Sequence, residues 1–350
     1  MKGLNQTGIV LRLLFLIMSA VLFLVQEVKP QDSRLKGDLR VHDPVMTVDG
    51  DYYYIFHTGR GISVKRSVDG INWERYGSVF SRDELPAWHR EDIPEQNGHL
   101  WAPDIHYRDG QFHLYYSVSA WMNFNSSIGY ASNTTLDRDS PDYKWVDHGK
   151  VISYKNGGEG VNVIDPQVFI DKDDRVWLFY GSYKAGLRLV ELNPETGKLF
   201  SEDPDIITIT TGLGEGVFIV EGNRYYYIFA SRGICCKGLE SNYQVVVGRS
   251  GALEGPYLNR EGKSWIDNHY SVFLAGDYDE PGRGHNGFFM ENDTVYIVYH
   301  AYTRTAEGAS LLNIRPVFMD GQGWPTMDTK GVLFNSVSLP RGMKQPEDQE

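Results

Sequence analysis

Along most of the chain, short blocks of alternating or wholly apolar residues are broken every five to ten positions by polar turns, and no helical period persists beyond a turn or two. Residues 40–59, RVHDPVMTVDGDYYYIFHTG, show the unit: an Asp-Pro step, a short strand, an Asp-Gly turn and a second strand dense in tyrosine. Four further stretches repeat it in chain order: WAPDIHYRDGQFHLYYSVS, IDPQVFIDKDDRVWLFYGS, GEGVFIVEGNRYYYIFASR and GHNGFFMENDTVYIVYHAY. Two β-rich runs joined by Gly, Asp or Asn predict a hairpin in each. The turns fall near Gly50, Gly110, Asp174, Gly222 and Asn292, spaced 60, 64, 48 and 70 residues apart, which leaves room for two more strands per unit. Stretches such as GISVKRSVDGINWERYG supply them.

Five units of about four strands imply radial repetition, so the sequence predicts an all-β chain folded as a five-bladed β-propeller over residues 31–340. The innermost strand of each blade lines the central channel of such a fold, and its first residues converge at one end. Aligned on the hairpin turns, those residues are Asp43, Asp104, Asp165, Glu215 and the pair His285-Asn286. Carboxylates gathered in one pocket repel each other, a cost that points to a charge to offset or a reaction to run. An Asp before Pro also starts turns by bonding nearby backbone, and for Asp104 in WAPD that structural role is the expectation. Glu215, longer than its counterparts and flanked by glycines, suits a general acid whose pKa is raised by an apolar, acid-lined site. An ionised carboxylate opposite it would be the base. Hydrolysis of a glycosidic bond needs such a pair.

Composition narrows the partner. A formal net charge of -12 repels phosphate backbones, so a neutral substrate is expected rather than nucleic acid. Lys2 and Arg12 precede the apolar run LLFLIMSAVLFLV, followed by polar QEVKPQDS. That order predicts an export signal over residues 1–30, or an N-terminal anchor if it is not cleaved, and places the protein outside the cytoplasm. Residues 341–350 are polar and expected to be disordered. The 2 cysteines, Cys235 and Cys236, are adjacent and provide no disulfide framework; a strained vicinal disulfide and two free thiols are both open.

In order along the chain, VHDPV, GHLWAPDI, LYYSVS, NSSIGYASN, VIDPQVF, FYGSY, GEGVFIV, CCKG and GRGHNGFF resemble family 43 glycoside hydrolases, and among them the endo-acting arabinan hydrolases. The resemblance implies a five-bladed propeller that cleaves internal α-1,5 links of arabinan or arabino-oligosaccharides with inversion, as a monomer. It implies Asp43 as general base, Glu215 as general acid and Asp165 as the carboxylate that orients the acid and raises its pKa. It also implies Trp101, His42 and Ser182 at the sugar site, and His285 as the channel residue that meets a metal, usually calcium. Calcium prefers oxygen ligands, so waters would complete its shell. The chain departs from many relatives at Gly216-Val217, in place of Ala-Pro, and at Trp121, Met122 and Phe124, bulky beside the groove. An exo-acting arabinofuranosidase or β-xylosidase on the same scaffold is the near alternative, with the segment 81–101 a wall at one end of the groove. A sugar-binding propeller without turnover is the other reading.

Overall fold

The computed structural model describes residues 35–327 except 122, 156–161, 182 and 213. The expected signal or anchor at 1–30 and the tail at 341–350 therefore lie outside the described residues. Five sheets follow one another in chain order, antiparallel except for the edge strand Lys36–Gly37, which pairs parallel with Asn72–Ser78. Their innermost strands are Val45–Asp49, His99–Arg108, Ile164–Ile170, Glu215–Glu221 and Gly282–Glu291. The second strands are Tyr52–His57, Gln111–Ser119, Val176–Gly181, Tyr226–Arg232 and Thr294–Thr303. Each inner strand pairs with the second strand of its own blade across the predicted hairpin turn. The five-bladed propeller expected from the repeats is thus the observed architecture.

Five apolar clusters, one between each neighbouring pair of blades, hold the ring. The tyrosine-rich strand shows how one segment serves two seams. Side chains alternate across a strand, so Tyr54 and Phe56 pack toward the second blade with Leu100 and Leu114, while Tyr53 and Ile55 pack toward the fifth with Val298 and Ile314. Both faces are buried, which is why YYYIFH reads as a continuous apolar run. The fifth seam closes the ring with help from the N-terminal segment. The Val41 N–H donates to Ser310 O at 3.3 Å, and the Leu312 N–H donates to Leu39 O at 2.9 Å.

A bulge near the start of every inner strand sets the positions that matter. In blades two to five the register advances three residues on the inner strand for two on its partner, between Trp101 and Asp104, Ile164 and Gln167, Glu215 and Phe218, and Gly284 and Gly287. In blade one the Thr58 N–H donates to His42 O and Val45 pairs with Phe56, the same spacing. The residue opening each bulge has positive φ: Asp43 at 52°, Ala102 at 42°, Asp165 at 55°, Gly216 at 57° and His285 at 48°. Repetition of this sparsely populated conformation in all five blades marks it as part of the design.

These bulges correct the alignment drawn from the hairpin turns. The structural equivalents of Asp43 and Asp165 are Ala102, Gly216 and His285. Asp104 stands two residues further along and Glu215 one residue earlier, in the position of His42 and Trp101. Turn lengths differ between blades, and counting from the turn carries that difference into the bulge. Asp104 has the structural role expected of it: it is buried and accepts the Val168 N–H of the next blade at 2.8 Å. Gln167, at the same register in blade three, accepts the Ile219 N–H of blade four at 3.3 Å. Burial pushes the Asp104 carboxyl up to about 7, against the two backbone N–H bonds that favour its ionised form.

Asp104→Ala is expected to lose about 1–3 kcal/mol of unfolding free energy in urea titrations, the cost of orphaning the Val168 N–H, whereas Asp104→Asn, which keeps the acceptor, should stay close to the parent protein.

Candidate active site

The residues at and just before the bulges meet at one end of the channel, and Asp43 is the most closely surrounded. His42 Nδ1 lies 2.8 Å and His285 Nδ1 3.2 Å from its Oδ1. Thr58 Oγ1 donates to Oδ2 at 2.5 Å, and the Asp43 N–H donates to His300 Nδ1 at 3.1 Å. Burial pushes the Asp43 carboxyl up, but His42, its strongest opposing neighbour, and the other imidazoles outweigh burial and hold it well below the usual carboxylate range. His42 shows the other side of this pair: burial lowers its pKa, the Asp43 charge raises it more, and the net shift is upward. His285 and His300 are both lowered by burial, so His42 is the imidazole that carries charge against the base.

Glu215 stands in the opposite environment. It is buried, and Tyr243 Oη donates to its Oε1 at 2.8 Å. Burial pushes its carboxyl up to about 7; the Tyr243 bond and His42 pull it down, and the Asp43 charge raises it. Asp165, also buried, is raised well above its ordinary value by burial and then by the charges of Glu215 and Asp43, against one backbone bond from the Gly216 N–H at 2.9 Å. Two buried carboxyls that oppose each other's ionisation hold a proton near neutrality, while Asp43 is ionised. Environments that push neighbouring carboxyls apart in this way separate an acid from a base.

The structure therefore brings Asp43, Glu215, Asp165, His42 and His285 together. His285 Nδ1 lies between Asp43 Oδ1 at 3.2 Å and Asp165 Oδ2 at 3.7 Å. His42 has both ring nitrogens engaged, Nδ1 with Asp43 and Nε2 with Tyr302 Oη at 2.6 Å, so it holds the Asp43 carboxylate in place. Trp101 is half-buried at the register of His42 and Glu215, and its indole N–H donates to His99 Nδ1 at 3.1 Å. Ser182 lies outside the described residues. Cys235 and Cys236 form a disulfide beside the base: the Cys236 N–H donates to Tyr302 Oη at 2.8 Å, and Cys236 Sγ is 3.8 Å from His42 Nε2.

Four supporting residues were not found from the sequence: Thr58, Tyr243, His300 and Tyr302. Thr58 and His300 share a place in the repeat, just where the second strand pairs with the residue before the bulge, so aligning the second strands as well as the turns would have singled them out. Tyr243 has no such signal. It directly precedes the third strand of the same blade, Gln244–Ser250, and reaches Glu215 across the second strand of its own sheet.

Of the groupings that could hold a metal, the described residues offer His42, Asp43 and His300, but their Nδ1 atoms are occupied by Asp43. His285 fits better. Its Nδ1 faces the two carboxylates, and its Nε2 makes no hydrogen bond to a described residue.

A carboxyl that keeps its proton near neutrality beside one that is ionised suits a reaction run by proton transfer. Residues 37–325 match the model of glycosyl hydrolases family 43, and the chain belongs to that family. It is 38% identical to the extracellular exo-α-(1→5)-L-arabinofuranosidase ArbA of Cellvibrio japonicus, covering 83% of this chain and 87% of that protein. It is 33% identical to the extracellular endo-α-(1→5)-L-arabinanase 1 of Bacillus subtilis, over 82% of this chain and 87% of that protein. The α-L-arabinanase of Cellvibrio cellulosa, solved with arabinohexaose, superposes with a TM-score of 0.79 at 37% identity, over 83% of this chain and 96% of that one.

The pH dependence follows from the site. kcat/KM should fall as pH rises through about 7, where Glu215 loses its proton. Tyr243→Phe removes a hydrogen bond that favours the ionised acid, so in that variant the alkaline limb should move to higher pH. An unmoved limb would assign the ionisation to another group.

Proposed function

We propose that the protein is an exported arabinanase that hydrolyses internal α-1,5-L-arabinofuranosidic bonds with inversion. The observation that carries this reading is the opposed ionisation of Asp43, held well below the usual carboxylate range, and Glu215, pushed up to about 7. Asp43, oriented by His42 and Thr58, takes a proton from the attacking water. Glu215 gives its proton to the leaving sugar oxygen, which removes the need to expel an alkoxide. Burial and the Asp43 charge keep the proton on Glu215 until the bond breaks, and Asp165, held by the Gly216 N–H, orients the acid. Trp101 offers an indole face on which a furanose ring can stack. Arabinan as substrate is supported by the activities for which both relatives are named, and export by their being extracellular together with the charged, apolar, polar order of residues 1–30.

The exo-acting alternative has an observation of its own, since ArbA, named as an exo enzyme, is the more similar of the two relatives. The segment that would wall the groove is anchored to blade two: Trp88 Nε1 donates to Asp147, Gln96 Nε2 donates to Ser119 O, and Asp92 pairs with Lys150 and Lys155. Trp121, 70% exposed, follows the second strand of the same blade. The endo reading is supported by the similarity to the endo-arabinanase of Bacillus subtilis.

On linear arabinan, the endo enzyme is expected to drop viscosity well before much reducing sugar appears, and the first product seen by proton NMR should carry the β configuration at its new anomeric centre. Asp43→Ala and Glu215→Ala should lose this activity by factors of about a hundred or more. Release of monosaccharide without a fall in viscosity would establish the exo enzyme, and retained α configuration would remove Asp43 as a base.

For the metal, we propose that His285 Nε2 is the nitrogen offered to a calcium ion whose remaining ligands are water. A bound cation there would add positive charge near the three carboxyls, and no proton transfer runs through it. Calcium is expected to raise Tm in the parent protein and to have no such effect in His285→Ala; equal shifts in both would exclude His285.

A further inference from the structure

The five bulges share a second feature. The N–H of the residue that opens each bulge needs an acceptor, and in four blades the preceding blade supplies one from the same place on its second strand. The Ala102 N–H donates to Thr58 Oγ1 at 2.8 Å, the Asp165 N–H to Ser117 Oγ at 2.8 Å, the His285 N–H to Ser231 Oγ at 2.8 Å and the Asp43 N–H to His300 Nδ1 at 3.1 Å. Ser117, Ser231 and His300 are the cross-strand partners of Trp101, Glu215 and Gly284, and Thr58 bonds His42 in the same place. The fifth position, paired with Ile164, is Gly181. It has no side chain to offer, and the Gly216 N–H donates instead to Asp165 Oδ2 at 2.9 Å.

We propose that Gly181 is a positioning residue. By withholding the acceptor that the other blades provide, it reserves the Gly216 N–H for the Asp165 carboxylate and so fixes that carboxylate beside Glu215. A backbone N–H left unpaired in a buried site is costly, so it takes whichever acceptor is present. Sequence distance conceals the connection, because Gly181 and Asp165 belong to blade three and Gly216 to blade four. Space is a separate matter. A Cβ at Gly181 would lie 3.2 Å from Glu215 Cα, 3.3 Å from Leu187 Cδ2 and 3.5 Å from Gly214 O, so alanine or serine fits with small shifts. The inference rests on Asp165 as the carboxylate that orients the acid.

Gly181→Ala adds the Cβ without an acceptor, and Gly181→Ser adds both. The serine variant is expected to show kcat on linear arabinan about tenfold below that of the alanine variant, the scale of one charge-assisted hydrogen bond, with KM changed by less than about twofold. In an Asp165→Ala background the sign reverses. There the Gly216 N–H lacks its partner, the serine supplies one, and Tm should rise by about 2 °C relative to Asp165→Ala alone, with no further loss of kcat. Equal kcat in the alanine and serine variants would overturn the proposal, as would a serine that lowers Tm equally in both backgrounds. Failure of Gly181→Ser to fold in either background would also overturn it, since glycine would then be needed only for room. If the parent protein does not turn over arabinan, the reading of its function fails, and the Tm comparison still decides whether Gly181 controls the Gly216 N–H.

Discussion

Each inner strand opens with a residue in the left-handed region whose N–H points out of its own sheet, and the site depends on how those five N–H groups are satisfied. Regular pairing would use them within the blade; the bulge turns them toward the neighbour. Four are taken by Thr58, Ser117, Ser231 and His300, which ties each blade to the next at the rim where the chemistry lies. Apolar seams supply the bulk of the cohesion, but they are non-directional. The hydrogen bonds at the rim fix how far each blade is turned, and with it the approach of Asp43, Asp165 and Glu215.

The same geometry explains why three carboxyls in one pocket behave differently. Asp43 and Asp165 have the same place in the repeat and the same backbone conformation, yet their pKa values move in opposite directions. The difference comes from neighbours in adjoining blades. Asp43 meets His42, His285, His300 and Thr58, whereas Asp165 meets Glu215, the Gly216 N–H and, at the longer distance of 3.7 Å, His285. Function arises from breaking the five-fold repetition at these few contacts, while the seams retain it.

Much of this was legible in the sequence because the repeat is strong: hairpins with aromatic second strands gave the number of blades, and the residues ahead of each inner strand gave the catalytic candidates. The register within the rim was not legible. A bulge inserts one residue without a signature of its own, so counting from the turn placed Glu215 and Asp104 beside Asp43 and Asp165, whereas they stand one residue before and two after that position. Side-chain contacts were also hidden: His300 reaches Asp43 from another blade across a long separation in the chain, and Tyr243 reaches Glu215 across its own sheet without a repeated motif to mark it. Gly216, which stands with Val217 in place of the Ala-Pro of many relatives, opens a bulge with its N–H held by Asp165.

The closure of the ring bears on when the chain becomes an enzyme. Leu39 and Val41 are among the first described residues to be synthesised, and their partners Ser310 and Leu312 are among the last. Asp43 follows directly on this waiting segment, and its own N–H meets His300 across 257 residues of sequence. The surroundings of Asp43 are therefore complete only when blade five is docked on blade one. A chain stopped before that blade has Glu215 and Trp101 but lacks His285 and His300 against Asp43, so the constellation of the site is coupled to completion of the whole ring.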